Sequence, residues 1–390
     1  PAEASTQPGR GTPDDPLRLK GTGSLDAVLA ANQDHGFIHL YPGDYSTRGT
    51  WAASSASAYC ALRCGALLGS GSQITRILLE EPVDETSPGT KRTDLNLLWL
   101  AGDCCRVEGL TLNGREDAFP GRTVGGLYIW GGNPIVRDVR VIGIRGNFAT
   151  DIEVFGIGTN AENRGGAVIE DCEVQGAPGT YVSAFSIGYR PSRGQTATRI
   201  RPSYVVRCHA VGERCHFAYG ACHATTFRDC SSEGYNYGFY NDTDEVRDIL
   251  IDGCRFAPNY SGIQLVMIRP NPQVHPGYTP ADWTKSRVRV EASSFDFRDP
   301  GVNTPFIGLG LIDHVKEAGL VPFSDIQVSR CRFTAPRLPF CAYSTDAAST
   351  PGVLLVENSV PAGCSRNGSG PILSRSLHAD GTIATIAPLA

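Results

Sequence analysis

Apolar residues in this chain come in short bursts of period two, and one burst keeps returning. "IEDCEV" from residue 169, "VVRCHA" from 205, "FRDCSS" from 227, "IDGCRF" from 251 and "VSRCRF" from 328 share a single frame. The frame reads apolar, two residues, small or apolar, one residue, apolar. "VEGLTL" from 107, "VRDVRV" from 136 and "VEASSF" from 290 fit it without a cysteine. The aligned positions are Leu110, Val139, Cys172, Cys208, Cys230, Cys254, Ser293 and Cys331, with Asn358 a weaker ninth, and neighbours are 22 to 39 residues apart. Period-two patterning predicts a strand in each phrase. A repeat of this length with insertions of unequal size is the signature of a solenoid. Its richness in Val, Ile, Phe and Tyr, broken by Gly and Pro, argues for strands over helices.

A second strand precedes each phrase. It is read at "NLLWLAGD" (96–103), "GGLYIWG" (125–131), "DIEVFGIG" (151–158), "VSAFSIGYR" (182–190), "HFAYG" (216–220), "YGFYNDTD" (237–244), "GIQLVMIR" (262–269), "FIGLGLID" (306–313) and "FCAYST" (340–345). Each pairs with its cysteine phrase to make one coil of two or three short strands. Stacked coils lie about 4.8 Å apart and close each other's edges. The cysteines are then expected to face inward as a stack of small, buried, unbridged side chains, the usual behaviour of a buried thiol. Cys60, Cys64, Cys104 and Cys105 lack the histidine spacing of a zinc site, so no metal is expected there.

The N-terminal stretch carries a resemblance. "GSLDAVLAANQDHGFIHLYPGDY" (23–45) and "GALLGSGSQITRILL" (65–79) resemble the opening coils of the right-handed parallel β-helix proteins of the pectate lyase-like superfamily. The resemblance runs over roughly 23–360 and implies an all-β fold, a single-stranded right-handed parallel β-helix of about nine or ten coils. A helix over 24–32, with Leu25, Val28 and Leu29 on one face, is expected to cap its first coil. The expected organisation is a polar leader at 1–22, one β-helix domain at 23–380 and a tail at 381–390.

Composition narrows the function. The 390 residues carry 41% hydrophobic and 19% charged side chains, the balance of a globular protein. A net charge of −5 gives nucleic acid no basic surface. No apolar run approaches the roughly 20 residues of a membrane helix. The polar, Pro-rich opening fits an exported mature protein, with a cytoplasmic one left open. No cofactor is expected, and monomer and homotrimer both stay open.

In such a fold, the resemblance implies, one strand row and its loops form a groove for a polysaccharide. The row preceding the cysteine phrases is the candidate, because its outward positions are polar and aromatic. Alternation in "TDIEVFGI" points Ile152 and Val154 inward and leaves Asp151 and Glu153 outward. Residues i and i+2 on a strand are about 6.5–7 Å apart, within the roughly 6.5–9.5 Å separating the acid and base of an inverting glycosidase. "GFYNDTDEV" repeats the arrangement with Tyr240, Asp242 and Asp244. Two close carboxylates drive one pKa up, making an acid beside a base, although "NDTD" is also good turn chemistry. That tetrad approaches the Asn-Thr-Asp strand of polygalacturonases, but their Gly-His-Gly and Arg-Ile-Lys segments do not follow here.

Around these carboxylates, Tyr128, Trp130, Tyr235, Tyr237 and Trp283 offer apolar faces to sugar rings, and Arg269 suits a sugar carboxylate. The same groove permits a second chemistry, β-elimination on a uronide, with Tyr240 or His216 as base and Arg190 or Arg269 as neutraliser. A non-catalytic carbohydrate-binding scaffold is the third reading. Hydrolysis by the carboxylates is the leading expectation.

Overall fold

The computed structural model describes residues 5–7, 10–20, 23–32, 36–51, 60–63, 65–80, 95–120, 123–147, 153–159, 165–187, 201–219, 223–241, 246–267, 284–297, 307–311, 323–334, 341–344, 353–359, 366–367 and 372–377. The chain divides into two compact units, Pro1–Arg214 and Cys215–Ala390. Among the described residues strands make up 63% and helix only 3%. The all-β expectation therefore holds.

In each unit the frame seen in the sequence becomes a coil. In the first unit Val107 pairs in parallel with Val136, Val136 with Ile169 and Ile169 with Val205. In the second, Phe227 pairs with Ile251, Ile251 with Val290, Val290 with Val328 and Val328 with Leu355. Successive coils thus stack like on like, and their strand edges are satisfied by their neighbours. These pairings make up the first sheet. The strands preceding each phrase make a second one, with Leu98 on Leu127 on Ile157 on Phe185 in the first unit, and Ala218 on Phe239 on Ile263 in the second.

The cysteine position owes its regularity to a bend. The residue just before it is left-handed in coil after coil: Gly109, Asp138, Asp171, Arg207, Asp229, Gly253, Ala292, Arg330 and Glu357 all have φ between 47° and 65°. One left-handed residue reverses the strand's alternation, so the frame inserts two residues between its first two inward positions. The carbonyl two residues upstream of the cysteine, which at Val206, Asp252 and Ser329 already accepts a backbone amide of the neighbouring coil, takes a second donor. The thiols of Cys172, Cys208, Cys230, Cys254 and Cys331 answer it, each donating to the carbonyl of its own i−2 residue at 3.2 to 3.5 Å. Ser293 does the same with its hydroxyl, toward Glu291 at 2.8 Å. Asn358 fills the site differently, accepting from the Cys331 amide and donating to Val328. All five cysteines are buried thiols, as expected. The expectation of a purely apolar stack misses their hydrogen-bonding role.

At the N-terminal end, helix Leu25–Ala31 buries Leu25, Val28 and Leu29. Asp26, also buried, accepts from Thr47 Oγ1 at 2.6 Å and from the Arg48 amide at 2.9 Å, tying the helix to strand Gly43–Thr47. The segment read as a polar leader contains a strand, Leu17–Lys20, which pairs in parallel with Phe37–Leu40 and buries Leu19. Among the described residues no helix is long and apolar enough to cross a membrane.

Candidate active site on the second sheet

The second sheet does not follow strict alternation, and that decides what it displays. Its strands share a five-residue frame: "NLLWL" (96–100), "GGLYI" (125–129), "FGIGT" (155–159) and "SAFSI" (183–187) in the first unit, "YGFYN" (237–241) and "SGIQL" (261–265) in the second. "HFAY" (216–219) shares its first four positions. The second and third residues are both enclosed: Leu97 and Leu98, Ala184 and Phe185, Phe217 and Ala218 are each at most 1% exposed. The first and fourth residues stand together on the outer face. Ring contacts show that the two share one side, since His216 stacks on Tyr219, three residues on, at 5.0 Å. A Cβ on Gly158 would likewise meet the Phe155 ring at 3.1 Å.

In the first unit the fourth position carries Trp99 and, one coil on, Tyr128, paired in register. Their ring centroids are 5.3 Å apart. Tyr128 is followed by Gly158, over which Phe155 leans. Trp130 flanks the column, 6.1 Å from Trp99 and 6.5 Å from Tyr128, and is 47% exposed. Glu153 lies two residues before Phe155, half-buried, and accepts a short hydrogen bond from the Ser183 hydroxyl. Ser183 is fully buried, so it can hold that carboxylate in one orientation.

In the second unit the outer face holds an imidazole among phenols. His216 and Tyr240 lie 4.4 Å apart with planes 12° from parallel, and Tyr237 is 4.8 Å from Tyr240. Tyr260 extends the patch from Tyr237 at 6.3 Å. Tyr235, expected to bind substrate, is instead fully buried. Enclosure of its ring pushes the phenol's pKa up and leaves no face for a sugar. His223 is enclosed too. Burial, and then the Arg247 guanidinium, lower its pKa to about 4, which keeps it neutral. Inside the same unit the fifth frame position is Asn241, fully buried, which accepts a short hydrogen bond from the buried ammonium of Lys285. Lys285 occupies a core place shared in register by Val246 and Phe323.

The structure therefore groups Tyr128 and Trp130 with Glu153's strand in one unit, and His216, Tyr237 and Tyr240 in the other. Asp151, Arg190, Asp242, Asp244, Arg269 and Trp283 lie outside the described residues. Sequence reading missed Trp99, Phe155, Ser183, Tyr219 and Tyr260. Aligning the second strands on their five-residue frame, rather than assuming alternation, finds all but Tyr260, which directly precedes a frame.

No protein-family model matches the chain, and no curated protein matches it in sequence. Solved structures do. The mannuronan C-5 epimerase AlgE6 A-module of Azotobacter vinelandii matches with a TM-score of 0.51 at 16% identity, over 93% of each chain. The endo-xylogalacturonan hydrolase of Aspergillus tubingensis matches with a TM-score of 0.59 at 13% identity, over 93% of this chain and 94% of that one. The catalytic domain of a GH87 α-1,3-glucanase in complex with nigerose matches at 0.52 and 12% identity, over 98% of this chain and 66% of that one. At these identities the likeness defines the fold. The chain is a right-handed parallel β-helix protein.

Proposed function

We propose that this protein is a secreted carbohydrate-active enzyme that cleaves a polysaccharide on the outer face of its second sheet. The observation that carries the reading is the pairing, in one unit, of an aromatic column with a carboxylate held by a buried hydroxyl. Tyr128 and Phe155, both half-buried, present their rings beside the enclosed Trp99, and Glu153, fixed by Ser183, lies just before the strand that bears Phe155. Aromatic faces seat sugar rings, and a positioned carboxylate moves protons. Neighbours of the same fold that are named for action on polysaccharides support the choice of ligand. In the leading reading Glu153 and Asp151 serve as acid and base of a hydrolase. Their i, i+2 spacing in the sequence is the ground for assigning them an inverting mechanism.

The stacked His216 and Tyr240 favour a second reading, in which an imidazole or a phenolate removes the proton at C5 of a uronide and elimination follows. The two readings use different residues and make different products. Under hydrolysis, Glu153→Gln keeps the carboxyl's shape and lowers turnover about 10²–10⁴-fold, with new reducing ends but no unsaturated sugar. If Glu153→Gln retains full turnover while His216→Ala is dead and products absorb as C4–C5 alkenes, the elimination reading replaces the first. Tight glycan binding with no product of either kind makes the protein a binding scaffold.

A further inference from the structure

The structure assigns to Trp99, Tyr128 and Phe155 a binding strip for an extended, 1,4-linked glycan that advances one sugar per coil. The inference rests on the ligand class proposed above and specifies its shape. Trp99 and Tyr128 occupy the same frame position on adjacent coils, and the Phe155 ring fills that position on the third, where the backbone residue is Gly158. Rungs of a parallel sheet are about 4.8 Å apart. A hexopyranose in a ribbon-like 1,4-linked chain advances by nearly that length, so successive sugars meet the half-buried rings of Tyr128 and Phe155 and come within reach of the Trp99 N–H. A 1,3-linked chain curls and loses the register after one or two contacts.

The rings are not packed as a closed core cluster. Trp99 and Tyr128 are tilted by 43°, Tyr128 is half-buried, and Trp130 stands beside them with nearly half its surface in solvent. A second observation points to a ligand with acceptors. Trp99 is 7% exposed, and its indole N–H finds no hydrogen-bond partner among the described residues. An enclosed donor left unanswered is costly, and native structures rarely keep one without a role. A sugar hydroxyl reaching in between Tyr128 and Trp130 would accept from it. An apolar partner, such as a second copy of this chain, would leave it unanswered. The strip also runs onto the strand that follows Glu153, so a glycan seated on it is led to that carboxylate.

Affinity electrophoresis tests this with the full chain and soluble glucomannan, xylan and galactomannan as 1,4-linked probes, and laminarin and dextran as 1,3- and 1,6-linked controls. The expected result is retardation by at least one 1,4-linked probe, with oligosaccharides of that sugar binding more tightly as length rises from two to about four units, about one per rung. Tyr128→Ala and Phe155→Ala each weaken binding about tenfold, and Trp99→Phe, which keeps a ring and removes the donor, does so about threefold to tenfold. Circular dichroism matching the parent shows that each variant is folded. The strip is overturned if these variants bind as the parent does, if laminarin or dextran is preferred, if no probe is retarded, or if Trp130→Ala converts a dimer to a monomer. Turnover measured in the same samples separates the two proposals. Cleavage that survives all three changes removes the strip and leaves the enzyme standing, whereas retardation without cleavage does the reverse.

Discussion

At the scale of single residues, environment overrides residue type. Two histidines seven positions apart show it. His216 lies in a stack of phenols on the outer face, and His223 is sealed beneath the first sheet, where burial and the Arg247 charge hold its pKa at about 4. In the unfolded chain an ordinary histidine titrates near 6.5. The folded form thus refuses a proton that the unfolded form accepts, so stability is complete above pH 6.5 and falls as pH drops toward 4. Denaturant unfolding at pH 7 and pH 5 should differ by about 2 kcal/mol through His223, and His223→Gln should remove that part, leaving what His39, whose pKa burial also lowers, contributes in the same window. Asp171 and Asp248, whose pKa values are lowered by Arg207 and Arg287, act only below the ordinary carboxylate range and do not blur the window. The sequence shows both histidines equally, and both are buried, one among ring faces and the other beside a guanidinium. Only the frame of the strands tells which one lies beside Arg247.

At the scale of elements, each coil depends on one left-handed residue before the cysteine position. Gly109, Gly253, Asp138, Asp171 and Asp229 supply it in five of the nine bends named above, and Arg207, Ala292, Arg330 and Glu357 in the other four.

 In all, five bends take Gly or Asp, and four take residues that this conformation penalises by about 1–2 kcal/mol. Ala292 is the cleanest case, because it is exposed and its methyl group holds nothing else in place. Ala292→Gly should therefore raise stability by about 1 kcal/mol, against the usual cost of glycine in a strand, and Ala292→Val should lower it. Urea unfolding of the two variants checks both signs. The cysteine frame was legible as a stack because its spacing is written in the chain. The bend was not, because Arg, Ala and Glu carry no turn signal, and stacking on the coils above and below imposes the conformation on them.

At the scale of the whole molecule, charge limits what the outer face can hold. The outer side of the first sheet is laced with ion pairs between coils, such as Arg76 with Asp44, Arg137 with Glu170 and Arg207 with Asp171. Such exposed pairs add little stability each, and they leave few cations for a polyanion. With a net charge of −5, a neutral glycan meets no long-range repulsion here and an anionic one does. Turnover of a neutral 1,4-linked glycan should change less than about twofold between 0.05 and 0.5 M salt, since contacts with rings and hydroxyls are not screened. A rise of about tenfold with salt would instead mark a uronide whose repulsion the salt relieves.

The sequence by itself determined the solenoid, the stacked cysteines and the capping helix, because each is a local pattern repeated or placed at an end, and repetition survives in one dimension. It also located the outer face of the second sheet, through Tyr128, Trp130, His216, Tyr237 and Tyr240. Tertiary structure alone decided which side chains share that face. Two consecutive inward residues in each strand bring Trp99 out of an apolar run and place Phe155 over Gly158. It also decided that Tyr235 is core and that Lys285 lies inside, on Asn241. The physical reason is that a break in period two costs nothing visible in the sequence of one strand. Only the register with neighbouring coils, where Trp99 meets Tyr128 and Lys285 meets Phe323, shows which way each residue turns.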